Sequence, residues 1–174
     1  MARIGIFGGS FDPIHSGHVG LALRAAREYA LERVLVVPAH VSPFKTDAPP
    51  MDDDLRWELV KLACAPHPVL EPCDIELKAG GTSYAIDTVR RVRADNPGTE
   101  IYFIIGEDSV AGLPKWKDWN ELRTLAKFVS FPRTRESSTE VRRRMALGLP
   151  LDDMVPEAVA RRLAAKVGQD GLTT

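Results

Sequence analysis

Short apolar runs alternate with longer stretches whose apolar residues recur every three or four positions. Residues 4–7, Ile-Gly-Ile-Phe, have the length and character of a strand. Residues 19–31 carry Leu21, Leu23, Ala25, Ala26 and Ala30 in a helical rhythm. Residues 33–38, Arg-Val-Leu-Val-Val-Pro, form the β-branched run expected of a parallel strand buried on both faces. A Pro-containing loop with Lys45 follows at 39–51. Asp52, Asp53 and Asp54 suit the first turn of a helix that reaches about residue 65, because carboxylates cap and complement a helix N-terminus. Residues 69–77 alternate apolar and polar as a strand does. Residues 83–95 place Ile86, Val89 and Val92 on one face, and Asn96-Pro97-Gly98 ends that helix. Residues 101–105, Ile-Tyr-Phe-Ile-Ile, are the clearest core strand. A short helix at 119–126, a strand at 128–131 and helices at 138–147 and 156–165 complete the pattern, with 168–174 as a loose tail.

Repeated strand-then-helix units predict an α/β fold, a doubly wound parallel sheet of Rossmann-like architecture. At 174 residues the chain reads as one domain with a sizeable core. The net charge of −1 leaves no footprint for nucleic acid as a partner, so any anion site must be a local cluster. The longest apolar stretches are strand-sized, which predicts no membrane association. The N-terminus runs straight into a strand without the pattern of a signal peptide, so the expectation is a cytoplasmic protein. Cys64 and Cys73 lack the spacing of a zinc site and read as two reduced, semi-buried thiols. No stripe marks an interface, and a homo-oligomer is left open.

Sheets of this kind bind ligands beyond the carboxyl ends of their strands. The unusual residues cluster there: Gly8 to His18, His40 to Lys45, and Gly106-Glu107-Asp108, with Gly80 to Tyr84 preceding the third helix. Gly8-Gly9-Ser10-Phe11-Asp12-Pro13-Ile14-His15-Ser16-Gly17-His18 joins a strand to a helix through a glycine turn, leaving free backbone N–H groups for an anion. His15 and His18, three residues apart at the helix start, can point to one side. Neither the P-loop spacing nor Gly-x-Gly-x-x-Gly is present. The stretch resembles the HxGH signature of the nucleotidyltransferase superfamily in its longer form, GGSFDPIHSGH.

Ser137-Ser138-Thr139-Glu140-Val141-Arg142-Arg143 opens a later helix and by itself would pass for an ordinary N-cap with a basic surface. Beside HxGH it resembles the superfamily's SSTxxR motif, which implies that Ser138, Thr139 and Arg142 hold the triphosphate of ATP. Gly80-Gly81-Thr82-Ser83-Tyr84-Ala85-Ile86-Asp87-Thr88 resembles GG-(T/P)-(S/T)-Y-T-x-D-T of the bacterial nicotinate-nucleotide adenylyltransferases, with Ala85 where Thr is usual. Gly106-x-Asp108 and Trp116-x-x-Trp119 are similar to that family's G-x-D and W-x-x-W, and Lys45 to the lysine of its PxxK loop. Asp54-x-Arg56 near that loop reads as a solvated helix start.

The resemblance spans nearly the whole chain and implies adenylyl transfer from ATP to nicotinate mononucleotide, giving deamido-NAD and pyrophosphate in NAD biosynthesis. It implies His15 and His18 as catalytic donors to the phosphates. Gly8, Gly9, Ser10, Phe11, Gly106, Asp108, Ser138, Thr139 and Arg142 join them in binding ATP. Lys45, Thr82, Ser83, Tyr84, Asp87 and Trp116 bind the acceptor, with the Trp116 indole stacked on an electron-poor pyridinium. Mg²⁺ is carried by ATP, and no protein metal ligand is assigned. Replacing His18 by Ala is expected to cost turnover and little folding stability. One departure stands out. Phe131-Pro132-Arg133-Thr134-Arg135-Glu136 leads directly into Ser137, where the family has an Arg-Pro-Gly turn, a variable stretch and a further strand. That shortening favours a third reading, a nucleotide-binding protein with weakened catalysis. A pantetheine-phosphate adenylyltransferase ranks between the two, because it shares HxGH but lacks the GGTSY segment and the W-x-x-W pair.

Overall fold

The computed structural model describes residues 1–45 and 49–170. Five strands form one sheet in the order β3-β2-β1-β4-β5, and every pairing is parallel. They are β1 (Arg3–Gly9), β2 (Arg33–Pro38), β3 (Leu70–Pro72), β4 (Glu100–Gly106) and β5 (Lys127–Phe131). The helices are α1 (Ser16–Glu28), α2 (Asp53–Cys64), α3 (Ile75–Ala79), α4 (Ala85–Asp95), α5 (Trp119–Leu125), α6 (Ser138–Ala146) and α7 (Glu157–Asp170). A 3-10 segment, Glu107–Lys115, follows β4.

The central strands alternate their side chains between two cores, so both faces must be apolar. Phe7, Val34, Val36 and Ile104 meet α1, α2 and α7 on one face. Ile6, Leu35, Val37, Ile101 and Phe103 meet α4 and α5 on the other. The chain therefore leaves β1 towards one face and β4 towards the other. Between these adjacent strands the sheet has its topological switch point, where a crevice opens beyond the strand ends.

Three expectations change. Residues 69–77 are not one strand: β3 pairs with β2 only over Val34–Leu70, Leu35–Glu71 and Val36–Pro72, and α3 begins at Ile75. The helix expected from 19 begins at Ser16, capped by His15. Residues 168–170, read as part of a loose tail, continue α7, whereas 171–174 lie outside the described residues. Both cysteines are free, Cys64 buried and Cys73 partly so. No helix among the described residues is long and apolar enough to cross a membrane.

Candidate active site

The turn between Gly9 and Ser16 is built under strain. Phe11 adopts φ 44°, a left-handed conformation that costs a bulky residue energy and persists where packing enforces it. Its ring is buried and meets Phe7 edge-on at 5.4 Å and His18 edge-on at 5.0 Å. The Phe11 side chain is thus core, and only its backbone remains to serve a ligand. The Asp12–Pro13 peptide bond is cis.

His15 and His18 come together as their spacing suggests. The rings stack with centroids 3.5 Å apart and planes 19° apart. The His15 N–H donates to His18 Nδ1 at 3.1 Å, and the His18 N–H donates to His15 Nδ1 at 3.3 Å. The two imidazoles make a reciprocal capping box, a part usually played by Ser or Thr with Glu. Because each Nδ1 accepts, each Nε2 carries the proton of the neutral ring and is the free donor. Gly17 is required by the same packing: a Cβ there would meet the Thr134 hydroxyl and lie 3.0 Å from the His15 ring.

Burial lowers the pKa of His15 to about 4, against a smaller opposing pull from Glu136. Burial also lowers His18 well below its ordinary value, reinforced by His15 and Lys45. Both rings are neutral at pH 7. As pH falls from 6.5 towards 4, unfolded His15 takes up a proton that folded His15 refuses, so folding weakens by ~3 kcal/mol from this group. His15→Asn keeps a capping oxygen without the titration. In urea unfolding, the stability gap between wild type and His15→Asn should shift in favour of the variant between pH 6.5 and 4. A gap independent of pH would contradict the assignment.

The helix expected to form a second anion wall stands against the HxGH turn despite the short connection after β5. Ser137 caps α6 through the Glu140 N–H at 3.1 Å. The Ser138 hydroxyl donates to Pro13 O at 2.9 Å, and Arg142 donates to Asp12 O at 2.6 Å, facing Asp12 Oδ2 at 3.4 Å. Arg142 also reaches the Thr139 hydroxyl at 3.4 Å. The helix that carries SSTxxR is therefore pinned directly onto the HxGH turn. Arg133, from the shortened connection, pairs with Asp108 at 3.0 Å, and Gly106 allows the Asp108 carboxylate to fold back close to its Cα.

A cleft with a cavity volume of ≈ 390 Å³ lies at the switch point. Gly8, Gly9, Ser10 and Gly106 line it from the sheet side, and Lys45, Ser83, Tyr84 and Trp116 are among the residues opposite; His15, His18, Asp108, Ser138, Thr139 and Arg142 stand outside its lining. Trp116 is held edge-on by Phe103 and Phe128, with centroids 5.7 and 5.9 Å away. Lys117 sits 4.4 Å from the Tyr84 ring centre, on its face. The 80–88 segment is fastened to the loop after β2, where Val41 pairs with Thr82 and the Ser83 N–H donates to Val41 O at 2.9 Å. Two expected acceptor residues lie off the wall. Thr82 is exposed at that bridge, and Asp87 is exposed, facing Arg90 at 3.5 Å and Lys117 at 3.7 Å. The turn of α4 carries the Asp87 carboxylate outward to these two cations.

Two charged residues that motif reasoning left aside are structural centres. Arg56, expected at a solvated helix start, is fully buried. It donates to Ser10 O at 2.5 Å, Met51 O at 3.3 Å, His40 O at 3.5 Å and Asp53 Oδ1 at 2.6 Å. His40 Nδ1 lies 2.5 Å from the other Asp53 oxygen. One guanidinium thus ties the phosphate turn to both ends of the 39–51 loop, of which 46–48 lie outside the described residues. Its signal was present: Leu55-Arg56, Leu59-Val60 and Ala63-Cys64 form the apolar stripe of α2, and Arg56 falls in it. Glu76 also lines the cleft, accepting from Thr88 Oγ1 at 2.6 Å and from Ser83; its pKa is raised by burial, with the two hydroxyls opposing.

The family model described as "Cytidylyltransferase-like" matches residues 6–157. A protein of Methylacidiphilum infernorum named "Probable nicotinate-nucleotide adenylyltransferase" is 36% identical over 177 aligned positions, covering 90% of this chain and 87% of that relative. The chain belongs to the nicotinate-nucleotide adenylyltransferase family. The alignment is longer than this 174-residue chain, so the relative carries residues without a counterpart here. A solved structure of a putative nicotinate-nucleotide adenylyltransferase from Vibrio parahaemolyticus matches with TM-score 0.80 at 20% identity, over 96% of this chain and 94% of that one. The Plasmodium falciparum nicotinic acid mononucleotide adenylyltransferase complexed with NaAD matches with TM-score 0.75 at 15% identity, over 98% of both chains. These two share the fold.

Proposed function

We propose that the protein transfers the adenylyl group of ATP to nicotinate mononucleotide, forming deamido-NAD and pyrophosphate. The observation that carries this reading is the cleft at the switch point, which joins a backbone-lined glycine turn to an aromatic pocket around Trp116. The acceptor phosphate oxygen attacks the α-phosphorus in line, the bond to the bridging oxygen breaks, and pyrophosphate leaves. The nucleophile is already an anion, so catalysis is positioning and charge stabilisation, without a side-chain base.

In this reading His15 and His18 donate Nε2–H to phosphate oxygens. The neutral rings donate without a second proton, because each Nδ1 stays an acceptor in the capping box. Ser138, Thr139, Arg142 and Lys45 hold the leaving pyrophosphate. Gly8, Gly9, Ser10, Gly106 and Asp108 meet the rest of ATP, and Ser83, Tyr84 and Trp116 hold the pyridine nucleotide. Mg²⁺ would come with ATP. The nearby carboxylate, Asp12, already accepts from the Met51 N–H at 3.0 Å and faces Arg142, and the turn's other groups are N–H donors suited to phosphate. Among the described residues no group of three His, Cys, Asp or Glu is arranged for a metal. The metal supplies charge neutralisation on the phosphates.

The test is pyrophosphate release from ATP with a panel of acceptors, with products identified by mass. Turnover should be fastest with nicotinate mononucleotide, and the product should be deamido-NAD. Preferred turnover of phosphopantetheine, or ATP binding with no turnover of any acceptor, would overturn the proposal.

A further inference from the structure

Phe44 is a large apolar side chain left 61% exposed, and it lies on the wall of the cleft. Exposure of an aromatic ring to water inside a concave site costs hydrophobic free energy unless a ligand covers it. Its ring centroid is 5.7 Å from that of Trp116, with the planes tilted 35° to one another. Phe103 and Phe128 meet the same indole edge-on, which fixes Trp116 and leaves Phe44 as the tilted partner.

The loop that carries Phe44 is anchored at its base. Ser83 Oγ accepts from the His40 N–H at 3.0 Å, and Val41 is paired with Thr82. Among the described residues that follow Val41, Lys45 N–H donates to Ser42 O at 3.2 Å and Phe44 N–H to Ser42 Oγ at 3.4 Å. The next residue, Lys45, donates to Ser10 Oγ at 3.1 Å in the phosphate turn. Two aromatic planes that enclose a third ring stand about 7 Å apart, twice an ordinary carbon–carbon contact. The Phe44 and Trp116 centroids are 5.7 Å apart, so the rings must part by a little more than one ångström to admit a third.

We infer that Phe44 is the second aromatic wall of the acceptor site, holding the pyridine ring between itself and Trp116. The inference rests on the adenylyl-transfer reading above. It makes Phe44 a specificity-determining residue, selecting acceptors whose recognised group is a flat, electron-poor ring. Such a ring is attracted to the faces of both neighbours, while a saturated or branched group fits between them poorly.

The experiment compares steady-state kinetics of Phe44→Ala, Phe44→Leu and Phe44→Tyr with wild type. Phe44→Ala should raise KM for nicotinate mononucleotide about tenfold, with KM for ATP changed less than twofold. Phe44→Tyr should restore the wild-type value, and Phe44→Leu, which supplies bulk without a ring face, should recover only part. Circular dichroism and thermal midpoints should match wild type, because the side chain is exposed. Unchanged acceptor KM in Phe44→Ala, full recovery by Phe44→Leu, or a parallel rise in ATP KM would overturn the inference while wild-type turnover still upheld the reaction. Absence of wild-type turnover with nicotinate mononucleotide would overturn the reaction and this inference with it.

Discussion

His18→Ala is expected to lower kcat about a hundredfold or more, the loss typical of removing one preorganised donor from a site of developing charge. His18 Nδ1 is committed to the His15 N–H, so its Nε2–H is the group it can offer to a phosphate. The same bond changes an expectation drawn from the sequence, that the substitution leaves folding intact. His18 closes half of the capping box of α1, so Ala should also cost about 1 kcal/mol of stability. His18→Asn separates the two roles. Its Oδ1 stands where Nδ1 stood and keeps the cap, while the Nε2 donor is gone. It should fold like wild type and turn over as poorly as the Ala variant. Near-wild-type kcat in His18→Asn would remove His18 from the chemistry. Equal loss of stability in both variants would show that the cap is not reproduced.

Arg56→Met is expected to destabilise the protein by about 3 kcal/mol, because a buried ion pair loses one partner while the other stays. Met matches the apolar stem but leaves Ser10 O, Met51 O and Asp53 Oδ1 without the guanidinium that now serves them. For a domain of this size the thermal midpoint should fall by about 10 °C. Asp53 keeps His40 as a partner and is partly exposed, which holds the loss at the lower end of the range. Adding Asp53→Asn removes the stranded charge and should recover part of the loss. ATP KM should rise with the destabilisation, since Ser10 closes the phosphate turn and is held from below by Arg56. A midpoint within 2 °C of wild type would show that the turn stands without the clamp.

Much of this molecule was legible along the chain because buried parallel strands and amphipathic helices leave strong local patterns. The bounds of β2 agree at both ends with the apolar run at 33–38, and the core strand at 101–105 lies within β4. Legibility failed where a pattern was too short to carry a period. Residues 69–77 contain a three-residue edge strand and a five-residue helix, and alternation over so few positions fits either. It failed again at residue 15, because capping rules look for Ser, Thr, Asp or Asn, and here a histidine fills the role by borrowing a second histidine three residues on.

The sequence alone determined the parallel α/β frame, the rim on which the motifs gather, and the residue types available for phosphate and aromatic recognition. These follow from periodicity and from motifs whose residues lie close together in the chain. The tertiary structure alone decided how those residues share their work. It placed Asp87 outside the cleft, buried Arg56 beneath the phosphate turn, and set Phe44 opposite Trp116. It also docked Ser138 and Arg142 onto Pro13 and Asp12 across the short stretch before Ser137. Those partners are separated by more than a hundred residues, and such contacts leave no periodic trace, because only the folded chain brings their donors and acceptors within reach.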